Sequence, residues 1–167
     1  MPRSCGGRRG MYATAHDTES DRVLLWGGFT GTDENDVAMW AYDYNSDTWE
    51  MLESTGGPQQ HWERHGMAYI PELDRVLFYS GMLEDEGVLP AETWYSDYNS
   101  NTWTEIDVDI SPPALAMYAM AYDPGSGKAI VFGGEMTSNT PGTSPPTSGR
   151  SIPSPNLGAK VSEPTTE

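Results

Sequence analysis

Arg22-Val23-Leu24-Leu25-Trp26-Gly27-Gly28 is an apolar run stopped by two glycines, and it returns twice. The copies are Arg75-Val76-Leu77-Phe78-Tyr79-Ser80-Gly81 and Lys128-Ala129-Ile130-Val131-Phe132-Gly133-Gly134, each 53 residues after the one before. A short continuous run of aliphatic and aromatic residues predicts a strand buried on both faces. Such a strand needs neighbours above and below it.

The register extends to either side of the run. Upstream, Tyr12-Ala13-Thr14-Ala15-His16-Asp17 aligns with Tyr118-Ala119-Met120-Ala121-Tyr122-Asp123, and His65-Gly66-Met67-Ala68-Tyr69 falls midway. Downstream, Asp43-Tyr44-Asn45-Ser46-Asp47-Thr48-Trp49 recurs as Asp97-Tyr98-Asn99-Ser100-Asn101-Thr102-Trp103, now 54 residues on. The added residue falls between Gly81 and Trp94, in a Gly- and acid-rich stretch. A length change confined to such a stretch marks a loop between fixed elements.

Each unit therefore predicts four short strands. The first is Met11–His16 or Gly66–Ile70, ending at a turn that is clearest as Asp123-Pro124-Gly125-Ser126-Gly127. The second is Val23–Trp26 or Val76–Tyr79. The third is Val37–Tyr44 or Thr93–Tyr98 and alternates, with Trp40, Tyr42 and Tyr44 on one face and Ala41 and Asp43 on the other. The fourth is Thr48–Leu52 or Thr102–Ile106, reached by a tight Asn-Ser turn. No stretch carries the 3.6-residue period of an amphipathic helix. The chain is expected to be all-β, and units of this length with strands buried on both faces suit the radially stacked four-stranded blades of a β-propeller.

The repeats resemble the kelch repeat, whose pattern is a double glycine after the second strand, a Tyr-Asp pair, and a Trp about six residues later. Here these are Gly27-Gly28, Tyr42-Asp43 and Trp49. The second unit departs from the pattern with Ser80-Gly81 and Ser96-Asp97 but keeps Trp103, and the third has Gly133-Gly134. The resemblance implies four-stranded antiparallel blades in units at about 10–52, 64–106 and, in part, 117–134. Around this array of about two and a half blades lie an N-terminal arm at 1–9 and a tail at 137–167. The expectation is that the chain is a fragment of a larger propeller, or that copies self-associate through the incomplete edges. The glycines are expected to permit positive φ and close backbone approach, and Trp49 and Trp103 to fill the wedge between blades.

Charge narrows the partners. The chain has 25 acidic and 9 basic residues and a formal charge of −16. Residues 10–136 hold 23 of the acids against only Arg22, Arg64, Arg75 and Lys128. Such a surface repels phosphate, which argues against nucleic acid and against anionic membranes. No run approaches the roughly 18 apolar residues of a membrane span, and Arg3, Arg8 and Arg9 are followed by no signal-peptide core. A soluble chain is expected, of undetermined compartment. Cys5 is the only cysteine, so an internal disulfide is impossible. From Thr137 onward, 21 of 31 residues are Ser, Thr, Pro or Gly with no aromatic, a composition expected to be disordered.

Candidate chemistry is sparse. His61 and His65 have a ligand-like i, i+4 spacing but sit in the connection between units, without a helix to present them. His16, aligned with Tyr69 and Tyr122, is expected to pack as a ring. Asp33, Glu34 and Asp36 in one loop and Asp85 and Glu86 in the equivalent one are the expected binding surface, and their spacing is not that of a calcium loop. Galactose oxidase shares kelch-like repeats, but its copper site uses a cysteine cross-linked to tyrosine, and Cys5 lies outside every predicted strand. Ser46-Asp47-Thr48-Trp49 resembles part of a sialidase Asp-box without its glycine. With no catalytic constellation, cofactor or metal site visible, the resemblance implies a protein-interaction or scaffold module for an unidentified protein partner. The alternative reading is the non-catalytic propeller part of a carbohydrate-active or galactose-oxidase-like protein.

Overall fold

The computed structural model describes residues 9–30, 37–83, 90–107 and 113–135. Cys5, the acidic loop residues Asp33, Glu34, Asp36, Asp85 and Glu86, and the tail at 137–167 lie outside the described residues. Those described form strands and turns without a helix, and none therefore offers a helix long and apolar enough to cross a membrane.

The first sheet is an antiparallel meander of β1 (Ala13–Asp17), β2 (Arg22–Trp26), β3 (Met39–Asp43) and β4 (Thr48–Leu52). The second unit begins with a two-residue strand β5 (Trp62–Glu63). It continues with β6 (Gly66–Ile70), β7 (Arg75–Tyr79), the short β8 (Met82–Leu83), β9 (Thr93–Asp97) and β10 (Thr102–Glu105). Its sheet runs β6-β7-β9-β10 in space, and β5 pairs with β8 in a separate ribbon. The third unit is a hairpin of β11 (Ala116–Asp123) and β12 (Lys128–Glu135).

The β5–β8 ribbon lies beyond the four strands expected of each unit, and the register explains it. Gly10 bridges Phe29, Glu63 pairs with Met82, and Ala116 pairs with Glu135, one pairing that recurs every 53 residues along the chain. In each unit the first hairpin thus extends past a kink. Met11, Arg64 and Met117 mark it at φ near +58°, a conformation uncommon for bulky residues. Gly28, Gly81 and Gly134 stand opposite, because a Cβ there would meet the facing backbone at 3.0 Å or less.

The turns repeat as closely. Asp21, Asp74 and Gly127 end the first turn of each unit, and Asp47 and Asn101 end the second, all at φ between 51° and 66°. Asp, Asn and Gly are the residues that reach this left-handed region most readily. Asp17 Oδ1 accepts from the Glu19 and Ser20 amides and Asp123 Oδ1 from the Gly125 amide, closing the turns.

Alternation gives every sheet two faces. The front face carries Thr14, His16, Val23 and Leu25 in the first unit, Met67, Tyr69, Val76 and Phe78 in the second, and Met120, Tyr122, Ala129 and Val131 in the hairpin. The back face carries Ala13, Ala15, Leu24 and Trp26, then Gly66, Ala68, Leu77 and Tyr79, then Ala119, Ala121, Ile130 and Phe132. The front of the second sheet lies on the back of the first, burying Trp26 with Met67, Val76 and Phe78. The front of the hairpin lies on the back of the second sheet, burying Leu77 with Ala129 and Tyr79 with Val131. Small residues on β1 and β6 let the strands approach, and large ones on the neighbouring strands fill the widening gap. Full burial of such a large side chain stabilises by about 1.5–3 kcal/mol. The second sheet is covered on both sides, so every residue of β6 is buried.

Strand β12 departs from the two-face expectation. Ala129 and Val131 are buried, whereas Ile130 and Phe132 are exposed, because no described segment covers the back of the hairpin.

Candidate interaction surface

The residues that carry the repeat are spent on joints between sheets and on turns within them. At the joints, the kink residues form a relay: the Arg64 amide donates to the Met11 carbonyl (2.8 Å), and the Met117 amide donates to the Arg64 carbonyl (3.0 Å). The next residue in each unit is Tyr12, His65 or Tyr118. The Tyr118 hydroxyl accepts from the Gly66 amide (2.8 Å) and donates to the Tyr79 carbonyl, bolting the hairpin to the second sheet. Burial raises the Tyr118 pKa far above the usual tyrosine range, so it stays a neutral donor.

His65 occupies the same position against the first sheet. Its ring packs on Trp26 (5.2 Å) and Phe78 (5.1 Å). Burial drives its pKa down to about 3 against the pull of the nearby Trp26 carbonyl, with His61 lowering it further. The ring is therefore neutral at physiological pH. His61 is also buried, with Nε2 2.5 Å from the Gly28 carbonyl oxygen. Both histidines thus serve the joint on either side of β5, and the i, i+4 spacing belongs to a short strand and kink.

The first position of the glycine pair is equally specific. At Gly27 (φ +65°) a Cβ would lie 2.5 Å from His65 Cε1 and 2.6 Å from the Trp62 carbonyl oxygen. Ser80 takes this position in the second unit at φ +45°, where its hydroxyl donates to the Pro90 carbonyl (2.9 Å) and accepts from the Leu115 amide (2.9 Å). Gly133 takes it in the third at φ +76°, with nothing within 4 Å of a built Cβ.

Within the sheets, Asp43 and Asp97 hold the second turn. Asp43 Oδ1 accepts from the Asn45 (2.8 Å) and Ser46 (3.3 Å) amides, and its Oδ2 pairs with Arg22 at 3.0 Å. Asp97 repeats this with Asn99 (2.9 Å), Ser100 (3.2 Å) and Arg75 (3.0 Å). Desolvation works to raise the Asp43 pKa, and the two amides and Arg22 outweigh it, leaving the carboxyl below its ordinary value. Tyr42 donates to Asp47 Oδ1 (2.8 Å), and this bond is the leading reason its pKa is raised.

The two tryptophans differ. Trp103 is buried between the sheets, 5.1 Å from Trp26 and 6.4 Å from Phe78 by ring centroid. Trp49 lies half-buried on the front of the first sheet, its ring 5.0 Å from that of Tyr42 and tilted 42° to it. His16 also lies on that face and is exposed, 3.8 Å from Asp21, so ring packing is corrected to a solvent-facing role. Its repeat partner Tyr69 is buried because another sheet covers it.

The turn end of the stack gathers Asp17, Glu19 and Asp74, whose carboxylate oxygens lie within 4.8 Å of one another. Asp17 is committed to the turn amides and Asp74 Oδ1 accepts from Tyr69 (2.9 Å), so two of the three already serve the fold. Among the described residues the surface keeps this acidic turn end, the exposed back of the hairpin and a partly exposed front of the first sheet. No protein-family model matches the chain, and no curated protein matches it.

Proposed function

We propose that the chain is a set of kelch-type β-propeller blades acting as a protein-interaction or scaffold module. The observation that supports this best is how the repeated polar and glycine positions are used. Gly27, Gly28, Asp43, Gly81, Asp97, Trp103 and Tyr118 all hold turns or joints. Between strands of fixed register run loops that differ in length and are rich in acid, the arrangement by which a rigid frame presents a recognition surface. Asp33, Glu34 and Asp36, with Asp85 and Glu86, are the residues assigned to that surface. Their charge favours a basic partner segment.

The test is affinity capture with the immobilised full chain, compared with a variant carrying alanine at those five positions. The reading expects a specific protein to be recovered by the parent and lost by the variant, with unchanged thermal unfolding. Equal recovery by both removes the loops from the account. Stoichiometric binding of copper or of a glycan would replace the scaffold reading with an enzyme-associated one.

A further inference from the structure

We propose that a second copy of this chain docks head-to-tail on the first, the front face of its first sheet lying on the back face of the β11–β12 hairpin. The register is the one the chain already uses at both internal joints. The inference rests on the stacking of the sheets and not on partner recognition by the loops.

Three independent features converge on this occupant. The first is shape and polarity. Ala119 and Ala121 are exposed on the hairpin's back, beside Ile130 at 36% and Phe132 at 65% exposure. The residues in the same positions of the first unit, Leu24 and Trp26, are 0% and 1% exposed under the next sheet. A small-small strand beside a large-large strand is the surface this chain builds to receive a front face. The matching front face is open around the β1 and β4 positions: Tyr12 is 45% and Met51 52% exposed, and Thr14 is exposed, where its repeat partner Met67 is buried, while Leu25 between them is already buried at 3%.

The second feature is the backbone relay. Each kink residue donates its amide to the kink carbonyl of the unit before it, from Met117 to Arg64 and from Arg64 to Met11. Met11 opens the relay and Met117 closes it, and both are exposed, at 46% and 52%. In the proposed complex the Met11 amide of one copy donates to the Met117 carbonyl of the other. An arbitrary apolar partner would bury the face without supplying this bond.

The third feature is charge. At the first internal joint the front-face Tyr69 lies beside Asp74 and the back-face Asp17. The corresponding pair across two copies is His16, exposed on the front, and Asp123, on the hairpin's back. A histidine ring N–H thus meets a carboxylate whose oxygens also accept from the Gly125 amide and the Ser126 hydroxyl of its own turn. Such a contact is heterologous, joining two different surfaces. Two copies bring together six repeat units, four of them four-stranded sheets and two of them hairpins, and a pair is the assembly proposed.

The test is mass by light scattering on the full chain across a hundredfold range of concentration, with Phe132→Glu disabling the back face and Thr14→Glu the front. The parent is expected to rise from 18.3 kDa towards twice that mass. Each variant alone is expected to remain single. Mixing the two restores a paired species, because each retains the face the other lacks. Both side chains are exposed, so the melts should match the parent; Ile130→Glu serves as the second back-face variant should Phe132→Glu melt early. A parent that stays single at every concentration overturns the proposal, as does a mixture that fails to pair. Pairing of Thr14→Glu alone would assign the contact to two back faces and equally overturn it. Loop-dependent capture of a partner is read separately and survives any of these results.

Discussion

Replacing Gly27 with alanine separates two costs that the repeat otherwise confounds, because Gly133 is its equivalent in a different setting. Both residues have positive φ, +65° and +76°. An L-residue in this region costs about 1–2 kcal/mol, offset by about 0.4–1 kcal/mol from the reduced freedom of the unfolded chain. Gly133→Ala meets nothing within 4 Å, so its net loss should be about 1 kcal/mol. At Gly27 the new methyl carbon would lie 2.5 Å from His65 and 2.6 Å from the Trp62 carbonyl. That carbonyl also accepts the Gly28 amide at 2.8 Å, so relieving the clash strains the bond between the first two units. Overpacking of this kind adds about 1–3 kcal/mol, bringing the loss to about 2–4 kcal/mol. Urea unfolding at low protein concentration measures both. A Gly27→Ala loss no larger than that of Gly133→Ala would refute the packing of the joint as described.

Three further outcomes follow from the same joints. Tyr118→Phe removes the bridge between the Gly66 amide and Tyr79 carbonyl and should cost about 1–3 kcal/mol in denaturant unfolding, because a buried donor loses its partner. Trp103→Ala should cost about 3–5 kcal/mol, while Trp49→Ala, half-buried on Tyr42, should cost about 1 kcal/mol; equal losses would contradict their different placement. For His65, the folded pKa of about 3 lies below the ordinary 6.5, so the unfolded chain binds the extra proton. Its contribution is complete above pH 6.5 and is lost as pH falls towards 3, about 2 kcal/mol of it by pH 5. Melts at pH 7 and 5 should show this loss in the parent and not in His65→Phe.

Much of this architecture is readable from the sequence because the repeat compares each unit with its neighbour. The runs at Arg22, Arg75 and Lys128 mark the second strands, and the Asp-Tyr-Asn-Ser turn marks the third and fourth. Other features are hidden in the sequence for physical reasons. The β5–β8 ribbon spans two residues a side, too few for alternation to register. Tyr12, His65 and Tyr118 align visibly, yet a Tyr/His/Tyr column does not announce that one hydroxyl bridges two backbone groups. The difference between Trp49 and Trp103 is invisible for another reason. Their local sequences are nearly the same, and only the presence of a covering sheet distinguishes them. His16 and Tyr69 differ in the same way. Of the candidate loop surface, the described residues give only the frame on either side.

The three units stack through like faces, front on back, and nuclear Overhauser contacts across the joints test that stacking. Stacked sheets should give cross-peaks between the Trp26 and Trp103 indoles, 5.1 Å apart between the first two units. They should also give cross-peaks between the Tyr118 ring and Gly66, in contact between the last two. A well-dispersed spectrum with assigned resonances that lacks either set would contradict the stack.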